Sequence, residues 1–211
     1  MDSKAKFLLG LSGIGTTGGV GAVLSFPHRS KQEEREMILT VISSQEKRFI
    51  LSTSDSSHNA QWDNIAKEVK DNLLAQKEIG NPIDTEKLKK WCARTAQEKF
   101  YEDDLLIKFD DWCTRNTIRT EVLSKLTDGK SLIEFENSGE WTKVQERYKT
   151  QATSEDIQIT IGETKITKDT ISTKKANDIR DWCKSMSNAL FISDTDNSYK
   201  AFDKWCVSPQ Q

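Results

Sequence analysis

The chain has 211 residues, of which 30% are charged, with a formal net charge of −2. Acidic and basic residues are interspersed and no basic stripe faces a phosphate backbone, so nothing in the charge supports a nucleic-acid binder. The length accommodates one domain or two small ones, and the charged content fits the solvated faces of amphipathic helices.

The first element is apolar. Residues 7–26, from Phe7-Leu8-Leu9-Gly10 to Val23-Leu24-Ser25-Phe26, carry no charge. At a helical rise of about 1.5 Å per residue, such a run spans a hydrocarbon core of about 30 Å. Lys4 and Lys6 precede it as the short basic region of a secretory signal or signal-anchor. Residues 1–30 are therefore expected to be an N-terminal signal or anchor segment. It would attach the chain to the cell membrane through residues 7–26 and leave residues 27–211 extracellular. Cleavage stays open, because Ser25 is small but no A-x-A pattern surrounds it. Gly15 and Gly19 have helix-packing spacing, so self-association stays open too. Gly13-Ile14-Gly15-Thr16-Thr17-Gly18 is a literal G-x-G-x-x-G. Its apolar run continues to Phe26 and Pro27 instead of an amphipathic helix and second strand, so no dinucleotide cofactor is expected.

Beyond the anchor the periodicity is helical. Trp62, Ile65, Val69 and Leu73 form one stripe, stopped near Gly80-Asn81-Pro82. Asp84 can cap the next helix, whose buried face carries Leu88, Trp91, Cys92 and Thr95. Leu105, Phe109, Trp112 and Cys113 form a third stripe. In the second half, Ile157, Ile159 and Ile161 alternate with polar residues up to Gly162, which signals a small β-hairpin near 155–168. Ile179, Trp182, Cys183 and Met186 then repeat the helical geometry. The expected fold is mostly α: a transmembrane or signal-anchor helix, then two duplicated helical units, the second with the hairpin insertion.

The duplication rests on the cysteines. Each follows a tryptophan, in Leu88-Lys89-Lys90-Trp91-Cys92, Phe109-Asp110-Asp111-Trp112-Cys113, Ile179-Arg180-Asp181-Trp182-Cys183 and Phe202-Asp203-Lys204-Trp205-Cys206. Trp62-Asp63-Asn64-Ile65 also matches Trp141-Thr142-Lys143-Val144. Ile38-Leu39 is matched to Val122-Leu123, and Phe49-Ile50 to Leu132-Ile133. Repeat one is placed at 36–118 and repeat two at 119–208. Four cysteines allow three pairings. The repeat favours Cys92 with Cys113 and Cys183 with Cys206, on consecutive helices packed side by side, with Cα atoms about 4.4–6.8 Å apart. The alternative is four reduced thiols packed as small hydrophobes. Trp91, Trp112, Trp182 and Trp205 are expected to be buried core anchors.

Catalytic and metal motifs are weak. His58 lies in the polar loop Ser54-Asp55-Ser56-Ser57-His58 without support for a triad. Asp194-Thr195-Asp196 opens like a calcium loop, but Tyr199 and Trp205 stand where Gly and Glu are required. No C-x₂₋₄-C pair exists for zinc. Asp103-Asp104 and Asp110-Asp111 are adjacent, so on a helix their carboxylates point about 100° apart. No catalytic residue, metal ligand or cofactor is assigned, and an enzyme is not expected.

The segment Phe7-Leu8-Leu9-Gly10-Leu11-Ser12-Gly13-Ile14-Gly15, a polar helical ectodomain and the four Trp-Cys units together resemble the paralogous surface and membrane protein families of haemotropic mycoplasmas. The layout likeness covers the whole chain, while its specific part is the anchor style and the Trp-Cys units. No activity is established for those families, so no catalytic residue is carried over. The resemblance implies surface display, with antigenic variation or contact with a host surface protein as the role. The other readings are an exported hydrolase whose site assembles only in three dimensions, and a self-associating structural surface protein.

Overall fold

The computed structural model describes residues 36–99, 103–127 and 129–209. The anchor segment 1–30, its membrane attachment through 7–26, and the Gly13–Gly18 and Gly15/Gly19 patterns lie outside the described residues. Among the described residues, no helix is long and apolar enough to cross a membrane. The described chain is mostly helical, with two small antiparallel sheets of two strands each.

The first half runs α1 (Ile38–Ser44), β1 (Arg48–Ile50), α2 (Asn59–Val69), α3 (Leu73–Ile79), α4 (Thr85–Thr95), α5 (Asp103–Cys113) and β2 (Thr114–Asn116). Strand β1 pairs with β2, with Ile50 opposite Thr114 and Arg48 opposite Asn116. The second half runs α6 (Ile118–Lys125), α7 (Ser138–Gln151), β3 (Thr160–Ile161), β4 (Thr164–Lys165), α8 (Ala176–Ser187) and α9 (Asn197–Trp205). Strands β3 and β4 form the expected hairpin, turning at Gly162 with φ of +64°, a backbone conformation that favours glycine. Single 3₁₀ turns at Glu155–Ile157 and Ile171–Thr173 flank it.

At α3, α4, α6, α7 and α9 polar residues set the helix start by satisfying orphan N–H groups. Asp84 accepts from the Lys87 amide at 2.8 Å, as its position suggested. Asn72 does the same for α3, accepting from Leu74 and Ala75. This second cap corrects the first stripe: α2 ends at Val69, a new helix begins, and Leu73 is 81% exposed. Asp196 caps α9 through the Ser198 and Tyr199 amides, which accounts for the calcium-like segment as a helix start.

Two hydrophobic cores result. The first gathers Ile38, Ile42, Leu51, Trp62, Ile65, Leu88, Trp91, Phe109 and Trp112 with their neighbours. The second gathers Ile118, Val122, Ile133, Trp141, Val144, Tyr148, Ile179, Phe202 and Trp205. Ile118 packs in the second core, so the change of core falls between Thr117 and Ile118.

Some backbone contacts recur in both halves. Ile38 donates to Glu98 O at 3.1 Å, and Ile118 donates to Ala189 O at 2.8 Å. Met37 bridges Lys99, and Thr117 bridges Leu190. Ile118, not Val122, thus takes the place of Ile38, one helical turn away from the match drawn in sequence. Leu51 donates to Cys113 O at 3.1 Å and Ile133 to Cys206 O at 2.9 Å, so Ile133 stands where Leu51 does. The sequence match of Phe49-Ile50 to Leu132-Ile133 was one residue out of register.

The halves join without a linker. Thr117 follows β2 directly, caps α6, and donates its amide to Lys47 O. A polar chain crosses the joint. Arg48 donates to Asp110 Oδ1 at 2.9 Å and to Asn116 Oδ1 at 2.5 Å. Asn116 donates to Glu121, which also pairs with Lys125, itself paired with Asp194. Burial pushes the Glu121 carboxyl up, but the bonds from Lys125 and Asn116 outweigh it and hold the pKa below the ordinary value.

Candidate functional site

The four candidate cysteines form two disulfides. Cys92–Cys113 joins α4 to α5 with Cα atoms 5.7 Å apart. Cys183–Cys206 joins α8 to the end of α9 with Cα atoms 5.8 Å apart. Both distances fall within the range a bridge requires. The neighbouring helices reach that spacing because each Cys lies on the apolar face one turn from a core residue: Leu88, Phe109, Ile179 or Phe202.

The tryptophans beside them divide unequally. Trp91 and Trp112 are buried and meet at 5.1 Å between centroids. Trp205 is fully buried, donates its indole N–H to Ile157 O, and lies 4.6 Å from the Tyr148 ring. Trp182 does not follow: it is half-buried and packs on the margin of the second core. The buried residues of α8 are Ile179, Cys183 and Ser187.

A second pair of tryptophans fixes a loop in each half. Trp62, fully buried, donates its indole N–H to Ser52 O at 2.9 Å. Trp141, also fully buried, donates to Glu134 O at 3.1 Å. Ser52 and Glu134 each follow the residue whose amide donates to a disulfide cysteine carbonyl, so the two loops leave the core from matching positions.

In the first half, that loop contains Ser, Asp and His together. His58 Nδ1 accepts the Ser52 backbone N–H at 2.8 Å, and its ring meets Phe49 edge-on at 5.4 Å. Asp55 accepts from the hydroxyls of Ser57 at 2.5 Å and Ser52 at 2.8 Å. Those bonds, with one from the Ser57 amide, lower the Asp55 pKa to about 2. The serine hydroxyls therefore donate to the carboxylate and none donates to the imidazole, which is not the relay of a catalytic triad. From α4, Lys89 Nζ reaches Asp55 O at 3.1 Å and Asn59 Oδ1 at 2.7 Å, pinning the loop to the disulfide-bearing helix. Among the described residues, no group of three or more His, Cys, Asp or Glu could hold a metal ion.

A cavity lies between this loop and the disulfide. It measures about 360 Å³, at the lower end of the range for small-molecule sites. The buried Leu51, Phe109, Cys92 and Cys113 form its floor, with Leu39 and Ala96 also lining it and the more exposed Ser52, Thr53 and Ser54 at its edge. A smaller cavity of about 60 Å³ lies beside Cys206 in the second half, lined by Ile133, Phe202, Arg119, Glu134, Phe135 and Ser187 among others. Neither is legible in a contiguous stretch of chain, because each assembles from four separate segments. No family model, curated protein or solved structure matches the chain.

Proposed function

We propose that this chain is a membrane-anchored extracellular protein, with residues 27–211 displayed outside the cell as two copies of one helical plan. Its role is antigenic display or contact with a host surface protein, without catalytic chemistry of its own. The observation that carries the reading is the pair of disulfides, one closing the Trp-Cys helix pair of each half. Such bonds form and persist in oxidising, exported environments. The uncharged run 7–26 behind Lys4 and Lys6 supplies the attachment. Shared backbone contacts at Ile38 and Ile118, Leu51 and Ile133, and the Trp62 and Trp141 indoles support descent of the halves from one unit. The likeness of the anchor and Trp-Cys units to the haemotropic mycoplasma families points the same way.

Labelling of intact cells with a membrane-impermeant amine reagent tests this directly, since lysines are spread over the ectodomain. The chain should be labelled before lysis and should leave the membrane pellet with detergent but not with high salt. Labelling only after lysis would contradict surface display.

A further inference from the structure

The two cavities beside the disulfides lie at corresponding positions of the two halves. Every residue lining the smaller one has its counterpart lining the larger: Leu132 and Ile133 stand for Ile50 and Leu51, Phe202 for Phe109, and Cys206 for Cys113. The register is fixed by the Leu51 and Ile133 amides on the cysteine carbonyls, and by the Trp62 and Trp141 indoles on Ser52 and Glu134. The floor is thus retained, and what changes is the lining above it. Leu39, Ser52, Thr53 and Ala96 become Arg119, Glu134, Phe135 and Ser187.

Phe135 is the decisive change. Its ring is half-buried, packs against the second core, and stacks on Trp141 at 6.2 Å with 10° between the planes. The second half thereby supplies its own aromatic side chain to this site, and about 60 Å³ remains. The first half has Thr53 there and keeps about 360 Å³. No charged side chain lines that larger cavity among the described residues, so a neutral group enters without leaving an ion desolvated. Its rim is already held in place by His58, Asp55, Lys89 and Trp62, so little ordering is required on binding.

We propose that the first-half cavity binds an aromatic side chain of a partner polypeptide, in the place that Phe135 fills from within the second half. The ring lies over Leu51, Phe109 and the Cys92–Cys113 bridge, and Ser52, Thr53 and Ser54 border the backbone that carries it. This deepens the display reading and rests on it only for the source of the ring.

The test is a ¹⁹F NMR titration of the full chain with N-acetyl-4-fluorophenylalanine amide, a probe expected to bind with Kd on the order of millimolar. N-acetyl-phenylalanine amide should compete and N-acetyl-aspartate amide should not. Thr53→Phe should weaken binding at least tenfold by plugging the site, and Phe135→Thr should add a second, weaker site, since Arg119 and Glu134 still line it. Both variants are compared only with both disulfides intact and unfolding as wild type; if Thr53→Phe fails that check, Ala96→Phe places a ring in the same cavity from α4. The proposal is overturned if wild type shows no binding up to about 10 mM, if the aspartate amide competes equally, if the plugged variant binds as wild type, or if Phe135→Thr gains no site. Surface labelling is a separate readout, so failure here and failure of display are distinguishable.

Discussion

The first half of the molecule has a cavity of about 360 Å³ beside its disulfide, and the second half has one of about 60 Å³ lined by Phe135. Around that difference the supporting contacts hardly vary. Each half has a fully buried tryptophan, Trp62 or Trp141, that donates its indole N–H to the loop after the central apolar residue, and each closes two helices with a disulfide. What differs is attached to that frame: α3 in the first half, the β3–β4 hairpin in the second, and a loop of serines against a loop bearing Phe135. Interior residues answer to packing from all sides, whereas insertions and rims answer mainly to solvent and partners.

The comparison breaks most sharply at the two central rings. Trp62→Ala and Trp141→Ala should each cost about 3–5 kcal/mol, measured by chemical denaturation, because both side chains are fully buried and hydrogen-bonded. A large difference between them would deny the two positions a common role. Next in size are the bridges. Replacing Cys92 and Cys113 together with serine should cost about 3 kcal/mol, and so should replacing Cys183 and Cys206, since their loops are of similar length, 21 and 23 residues apart.

Trp91 and Trp182 should part company. Trp91→Ala should cost about 3–5 kcal/mol as a buried ring, while Trp182→Ala should cost about 1 kcal/mol because the half-buried ring gives up less apolar area. Equal losses would place Trp182 deeper than its exposure indicates.

The cysteine pairing was favoured by the repeated Trp-Cys units, though four cysteines alone allow three pairings. The Asp84 cap and the hairpin at Gly162 were legible, each written in a local signal. Other features were hidden for equally physical reasons. Helix α1 is only 7 residues long and α6 only 8. Apolar residues four apart, Ile38 with Ile42 and Ile118 with Val122, let the two slide by a turn without spoiling either stripe. Strands β1 and β2 are three residues each, too short for alternation to show. Leu73 continued the α2 spacing in sequence, but the Asn72 cap starts a new helix there. The cavities were invisible because no contiguous segment contains one.

Titration separates the halves at opposite ends of the pH scale. Tyr148 occupies the place of Val69, and its phenol is buried, donating to Ile166 O and accepting from the Ile159 amide. Burial raises its pKa above the ordinary 10.0 despite the Ile159 bond. Its stabilising contribution is therefore complete below pH 10.0 and lost as pH rises through the folded-state value. Alkaline unfolding, followed by amide exchange, should open the second core first. The Asp55 carboxyl is held at about 2 against an ordinary 3.8. Its contribution is present above 3.8 and fades as pH falls through about 2, a small effect because the group is exposed. Carboxyl ¹³C NMR should show the shift at Asp55, and Ser57→Ala should move its midpoint upward.

The central claim, an exported chain stapled once in each half, meets its most direct test in the thiols of the native protein. Cells are lysed into alkylating reagent and the chain is digested without reduction for mass spectrometry. The account predicts Cys92 linked to Cys113 and Cys183 linked to Cys206, with no alkylated cysteine. Four alkylated cysteines, or a link between Cys92 and Cys183, would contradict it.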